Sequence, residues 1–255
     1  MIRANDLVRQ IATLAGIAFG IAVNITFAAR IADGASPAGE QPLDAAAYAF
    51  GIWGLIFVGE GAYAIYQALP SQRERTLHRS VGRWAAINGV AQGLWVSAVI
   101  LERFFVAWLL IVVMLCSLIA IELATGARRH GLRPRDRWLV RAPFAINLGW
   151  VSVALALSTA SLLEGVVGWS GAPLGAVGWS VIVVLALAAL ALLMLALRGN
   201  AFFGGAAVWA LIAIAIGSDA QPIVITAVVA AIVVGIGVGA ALARRHDPDE
   251  TVSIG

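Results

Sequence analysis

The chain has 255 residues, of which 61% are hydrophobic and only 12% are charged, and its mean hydropathy is +0.92. A soluble globular domain is usually about 45–50% apolar and about 25% charged, so we expect this chain in a lipid bilayer. The formal net charge is +3, and all 17 cationic side chains are arginine. The composition excludes a cytosolic enzyme, a disulfide-linked secreted domain and a nucleic-acid-binding module. The absence of lysine excludes a retinal Schiff base and a pyridoxal phosphate site.

Eight apolar runs are long enough, or nearly so, to cross the hydrocarbon as helices, which takes about 20 residues. Turn signals rich in proline and glycine separate them. The seventh run is short and opens with Phe202, Phe203, Gly204 and Gly205. The sequence therefore predicts an all-α polytopic transmembrane helix bundle of about eight spans, at residues 7–29, 47–69, 83–101, 105–125, 142–163, 177–197, 202–217 and 222–243.

The arginines predict the orientation of these spans. With the N-terminus in the cytoplasm, 15 of the 17 arginines fall on the cytoplasmic side, and only Arg30 and Arg103 fall on the other. The positive-inside rule describes this bias. An even number of spans also keeps Arg244 and Arg245 inside, so we expect cytoplasmic N- and C-termini.

On the second run, Phe50, Trp53 and Phe57 recur at helical spacing, and Glu60 follows one turn later. Glu60 lies near mid-span, where an ionised carboxylate is costly, so we expect it to be protonated or paired. Two interpretations stay open. Glu60 is either a hydrogen-bonded contact between helices or part of a ligand or proton site.

Two further runs carry polar and aromatic side chains at the same depth. Trp84, Asn88, Gln92 and Trp95 form one stripe on the third run, and amides in such a stripe cannot face lipid without losing hydrogen bonds. On the fifth run Pro143 suits the first helical turn, and Asn147 and Trp150 follow.

The polar and aromatic residues of the second, third and fifth runs lie at similar depths in the membrane. At a rise of about 1.5 Å per residue, Glu60, Gln92 and Trp150 fall near the midplane. Asn88 and Asn147 lie somewhat towards the cytoplasm. Phe50, Trp53 and Trp95 lie outward. If the three faces meet, they form a cavity with aromatic walls and a polar floor, which suits a flat, largely apolar ligand.

Three other side chains nearer the inner interface receive structural interpretations. Tyr63 and Tyr66 are expected in the aromatic belt at the inner membrane surface. Glu122 is expected to reach towards Arg128 or Arg129 at the inner end of its span. The two GxxxG pairs on the first and last runs indicate close helix packing.

Three short motifs stand out on these runs: Trp53–Phe57 with Gly61 on the second, Gln92–Trp95 with Ser97 on the third, and Pro143-Phe144 with Trp150–Ala154 on the fifth. They resemble the second-, third- and fifth-helix motifs of the TspO/MBR family of tryptophan-rich sensory proteins. Gln92 replaces the family's Asn, and Ser158 stands where an Asn is expected. Residues 48–53 and 142–150 resemble more closely a longer branch of about eight spans.

This resemblance implies a five-helix bundle that binds tetrapyrroles, sterols or similar apolar ligands, and a role in porphyrin-linked regulation or stress signalling. We expect residues 1–165 to form that bundle and residues 166–255 to add three helices and a short tail. A bacterial inner-membrane location follows, with lipid and a hydrophobic small molecule as partners. We expect no nucleic-acid partner, metal ligand or resident cofactor beyond a tetrapyrrole-like ligand, and a homodimer stays open.

The expected function is that of a sensor or regulator with Trp53, Phe57, Trp95, Trp150 and Phe50 as walls and Glu60, Asn88, Gln92 and Asn147 as polar contacts. The first alternative is a secondary transporter for a small amphipathic solute, with Glu60 as the proton-coupling acid. The second is a membrane-embedded enzyme acting on an isoprenoid or pigment, with no catalytic residues assigned. Against it, the sequence offers no metal cluster and, apart from the distant Glu122, no second deep acid to pair with Glu60.

Overall fold

The computed structural model describes residues 4–32, 43, 45–126, 131–165, 167–169 and 171–244. Over these residues the regular structure is helical, which confirms the all-α prediction. A 3-10 turn at Ala47–Gly51 leads into the second helix. The long helices are α1 (Ala4–Ala32), α2 (Ile52–Ala68), α3 (Thr76–Ile100), α4 (Phe104–Gly126), α5 (Ala142–Gly165), α6 (Gly175–Arg198), α7 (Ala201–Gly217) and α8 (Gln221–Ala243).

Six of these eight helices are long and apolar enough to cross a membrane by length and composition, so the chain is a multi-pass membrane protein. The other two are α3 and α7. The polar side chains Arg83, Asn88 and Gln92 lower the hydropathy of α3. Helix α7 is apolar throughout but has only 17 residues.

The start of α5 differs from the prediction. The helix runs on without a break from Pro134–Asp136 through a π-helical turn at Arg137–Arg141, so Pro143 lies inside it rather than in its first turn. Proline lacks an amide hydrogen and crowds the preceding turn of an α-helix. The wider π turn accommodates this defect just before Pro143.

The helices of the described part of the chain differ in how closely their backbones pack. Helix α3 lies between α1 and α4, α5 contacts α2, α4 and α7, and α8 packs on α6 and α7. The backbones of α1 and α3 touch, since a Cβ added to Gly89 would lie 2.5 Å from the carbonyl oxygen of Gly16. By contrast, the backbones of α2 and α3 stay apart, so long side chains bridge the space between these two helices.

Candidate functional site

Glu60 is the centre of a buried polar cluster formed by α2, α3 and α5. Its side chain is fully buried. Its Oε1 atom accepts hydrogen bonds from Asn147 Nδ2 at 2.7 Å, Asn88 Nδ2 at 3.0 Å and Gln92 Nε2 at 3.3 Å. The four polar side chains predicted from their depth are therefore in direct contact.

Several atoms of this cluster lack hydrogen-bond partners among the described residues. Buried polar atoms normally find a partner, so such a concentration calls for an explanation. The other oxygen of the Glu60 carboxyl and all three amide oxygens are unpartnered acceptors, and one indole N–H is an unpartnered donor. These atoms are Glu60 Oε2, Asn88 Oδ1, Gln92 Oε1, Asn147 Oδ1 and Trp150 Nε1.

The predicted aromatic side chains also come together. Trp53 stacks on Phe57 and on Trp95, with ring centroids 5.4 and 5.7 Å apart, and its ring meets that of Trp150 edge-on at 6.5 Å. Phe50 meets Trp150 edge-on at 5.8 Å. We call these five residues the aromatic stack. It lies beside the Glu60 cluster because Trp150 is one turn from Asn147.

The space between these helices is filled rather than open, which differs from the predicted cavity. Rings of the aromatic stack contact one another where a ligand was expected. A shallow apolar groove of about 510 Å³ lies elsewhere, against α1, α3 and α4, and a cleft of about 300 Å³ lies beside Arg75 and Asp136. None of the nine predicted site residues lines either of them. Trp84, which shares the stripe on α3, makes none of the ring contacts of the aromatic stack and lies 4.8 Å from the Arg83 guanidinium carbon.

In a comparison with protein-family models, residues 7–240 match the model of the TSPO-like protein family. This range covers most of the chain. The chain belongs to the TSPO-like protein family. The match extends through α6, α7 and most of α8, well beyond Ala154, where the last sequence motif ends. Neither the curated proteins nor the solved structures yielded a match.

Helix α7 of this TSPO-like protein contacts the end of the site that carries Phe50. Trp209 on α7 donates its indole N–H to the carbonyl oxygen of Ala49 at 3.0 Å, and its ring meets Tyr48 edge-on at 5.2 Å. The amide of Ala46 donates to the carbonyl oxygen of Ala213, also on α7. We call these contacts the α7 clamp. They fix the 3-10 turn that carries Phe50, and no sequence motif indicated them.

At the opposite end of the site, an ion pair joins the α2–α3 connection to the start of α5. Arg75 donates to Asp136 at 2.8 Å, and the Tyr66 hydroxyl donates to the same Asp136 oxygen at 2.9 Å. The prediction that Tyr63 lies in the aromatic belt is wrong. Tyr63 is fully buried and packs on Phe144 and His78, because α5 covers this face of α2.

Glu122 belongs to a second buried cluster, which links the first five helices to the last three. Its Oε1 accepts from Arg141 at 3.2 Å, and its Oε2 accepts from Asn200 Nδ2 at 2.9 Å. Asn200 also caps α7, since its Oδ1 accepts from the amide of Phe203. The predicted partners Arg128 and Arg129 lie outside the described residues. Arg141 takes this position because the π turn aims it at α4.

Proposed function

We propose that this TSPO-like protein binds a flat hydrophobic ligand between α2, α3 and α5 and acts as a membrane sensor or regulator. A tetrapyrrole-like ring compound is the first candidate. The observation that carries the proposal is the convergence of three amide side chains on the buried carboxyl of Glu60 beside the aromatic stack. Packing alone could be achieved with apolar side chains and would not need five unpartnered polar atoms in one place.

The predicted site residues would then have two roles. Phe50, Trp53, Phe57, Trp95 and Trp150 would stack on the faces and edges of a ring, as aromatic side chains commonly do in apolar pockets. Glu60, Asn88, Gln92 and Asn147 would bind its polar substituents. Because side chains rather than backbones fill the space between α2 and α3, a ligand would take the place of these side chains there.

The proposal includes a topology and a location. We propose eight spans with both termini in the cytoplasm of a bacterial inner membrane, which the arginine distribution supports. Residues 1–165 would form the ligand-binding bundle, and residues 166–255 would brace it through the α7 clamp. The oligomeric state, monomer or homodimer, does not change this assignment because all nine site residues come from one chain.

A titration with protoporphyrin in nanodiscs tests the function. Three of the nine tryptophans belong to the aromatic stack, so binding there should quench a substantial part of the tryptophan emission in a saturable manner. Unchanged emission at tens of micromolar ligand, after subtraction of empty-nanodisc partitioning, would contradict the proposal.

Two variants separate the site from the lipid-facing surface. Trp95→Phe removes an indole of the stack and should reduce the saturable quenching. Trp138→Phe removes an indole that is 66% exposed at the start of the fifth span and should leave the saturable component unchanged. Equal losses in both variants would indicate quenching from the bilayer rather than from the proposed site.

Proton-coupled transport is a second candidate, favoured by the burial of Glu60 and by its unpartnered Oε2 atom. The buried hydroxyl of Tyr63 also lacks a partner in the described part of the chain and lies one turn towards the cytoplasmic end of α2. Solute uptake into proteoliposomes that depends on a pH gradient, and that disappears in Glu60→Gln, would favour transport over sensing.

A further inference from the structure

We propose that the ligand of this site carries a primary ammonium group, held by Glu60 and the amide oxygens of Asn88, Gln92 and Asn147, on a flat apolar body. This inference rests on the proposed binding of a flat ring compound and changes its preferred ligand from a tetrapyrrole, whose polar side chains are carboxylates, to organic cations with several N–H donors. It follows from three properties of the cluster: its charge, its hydrogen-bond inventory and its aromatic surroundings.

The charge of the cluster is unbalanced. The described part of the chain contains three ion pairs, Arg75–Asp136, Arg79–Asp6 and Arg141–Glu122, and none of them includes Glu60. Its three contacts are neutral amides. A buried carboxylate without a cation is strongly unfavourable, so a positively charged occupant would contribute the missing partner.

The hydrogen-bond inventory of the cluster lacks donors. Each amide that donates its nitrogen to Glu60 necessarily directs its oxygen elsewhere, which leaves three buried amide oxygens without a donor. A proton on Glu60 Oε2 would supply one donor for these three acceptors. The indole N–H of Trp150 is one more donor, so a protonated Glu60 leaves at least one acceptor without a donor. An ionised Glu60 leaves three acceptors without a donor, and a primary ammonium brings three N–H groups.

The surroundings of the cluster suit a cation attached to a ring. Trp53, Trp95 and Trp150 present indole rings next to the polar cluster, and tryptophan faces attract ammonium groups as well as flat apolar surfaces. The carboxyl, the amide oxygens and the aromatic faces thus favour the same occupant. A negatively charged group, or a polar group without donors, would be disfavoured because it would face the carboxyl and three amide oxygens, all of which are acceptors.

Three matched ligands test this inference on the unaltered full-length chain in phosphatidylcholine nanodiscs. Naphthylethylamine carries an ammonium group, naphthylethanol is its neutral analogue, and naphthylethyl-trimethylammonium keeps the charge but has no N–H. Equilibrium dialysis against empty nanodiscs removes partitioning into lipid. We expect the amine to bind at least about tenfold more tightly than either of the others, since hydrogen bonds to a charged group are among the stronger ones.

Two variants then assign the preference to a residue. Glu60→Gln keeps the size of the side chain and should reduce the ratio of amine to alcohol affinity to about one. Glu102→Gln removes an exposed acid at the turn after α3 and should leave the ratio unchanged. If Glu60→Gln fails to fold, the comparison of the three ligands on the unaltered chain still tests whether the site prefers a primary ammonium group.

The outcomes distinguish this inference from the proposed function. Equal binding of amine and alcohol would mean that ordered water satisfies the cluster, which overturns the inference and leaves ring binding intact. Tight binding of the trimethylammonium compound would overturn the role of the N–H donors. Displacement of the amine by sodium chloride but not by choline chloride would indicate an inorganic cation site and would also overturn it. Failure of protoporphyrin and of all three naphthyl ligands to bind would remove the proposed function itself.

Discussion

Replacement of Arg141 by methionine tests how the last three helices are attached to the first five. The guanidinium of Arg141 pairs with Glu122 at 3.2 Å, and the two side chains are only 5% and 7% exposed. It also donates to the carbonyl oxygen of Arg198 at the end of α6 at 3.1 Å. Methionine keeps much of the volume but leaves Glu122 with the amide of Asn200 as its remaining described partner.

The expected cost is large because a buried charge loses its partner. Removing one member of a buried ion pair typically costs about 3–5 kcal/mol. We expect about 3 kcal/mol for Arg141→Met, since Asn200 continues to donate to Glu122. The double variant Glu122→Gln/Arg141→Met removes the uncompensated charge as well. It should regain about 2 kcal/mol, because a neutral amide can share hydrogen bonds with Asn200.

Unfolding by SDS in mixed micelles, followed by far-ultraviolet circular dichroism, measures these free energies. Arg135→Met provides the matched control, because Arg135 lies on the same segment and is exposed. Its free energy of unfolding should change by less than about 0.5 kcal/mol. A loss below about 1 kcal/mol for Arg141→Met, or a double variant less stable than the single one, would refute the reasoning.

Three further substitutions have expected outcomes in the same unfolding assay. Gly89→Ala should destabilise by about 1–3 kcal/mol because its Cβ meets the backbone of α1, whereas Gly54→Ala, with open space around it, should change little; equal effects would contradict the close contact. Trp209→Phe keeps an aromatic ring but loses the hydrogen bond to Ala49, which should cost about 1 kcal/mol; an unchanged free energy of unfolding would mean that this hydrogen bond does not hold the α7 clamp. Tyr63→Phe removes a buried hydroxyl without a described partner and should be neutral or stabilising; a loss above 1 kcal/mol would reveal a partner for that hydroxyl.

The Glu60 cluster could be predicted from sequence because the bilayer makes polar side chains expensive. An amide or carboxyl at mid-span must turn away from lipid, so Glu60, Asn88 and Asn147 could only point towards one another or towards another buried group. Helical spacing placed them on defined faces, and counting residues placed them at one depth. The same reasoning brought Trp53 and Trp95 together.

The clamp and the second cluster could not be predicted in this way. Trp209 donates to a backbone carbonyl, and every residue carries such an acceptor, so its position has no signature in the sequence. Arg141 reaches Glu122 because of a π turn. This turn depends on local strain beside Pro143 and not on the periodicity of apolar residues in the sequence. Tyr63 was misplaced because depth alone does not reveal which helix covers a side chain.

The closed aromatic stack has a consequence for binding kinetics. A ligand of the proposed site would enter when Trp53 has rotated away from Trp95, so its measured association constant would be the intrinsic one multiplied by the populated fraction of that open form. The observed association rate should therefore level off at high ligand concentration, at the frequency with which the indole rings part. A smaller side chain in place of Trp95 would raise this limiting rate, because the open form would be more populated.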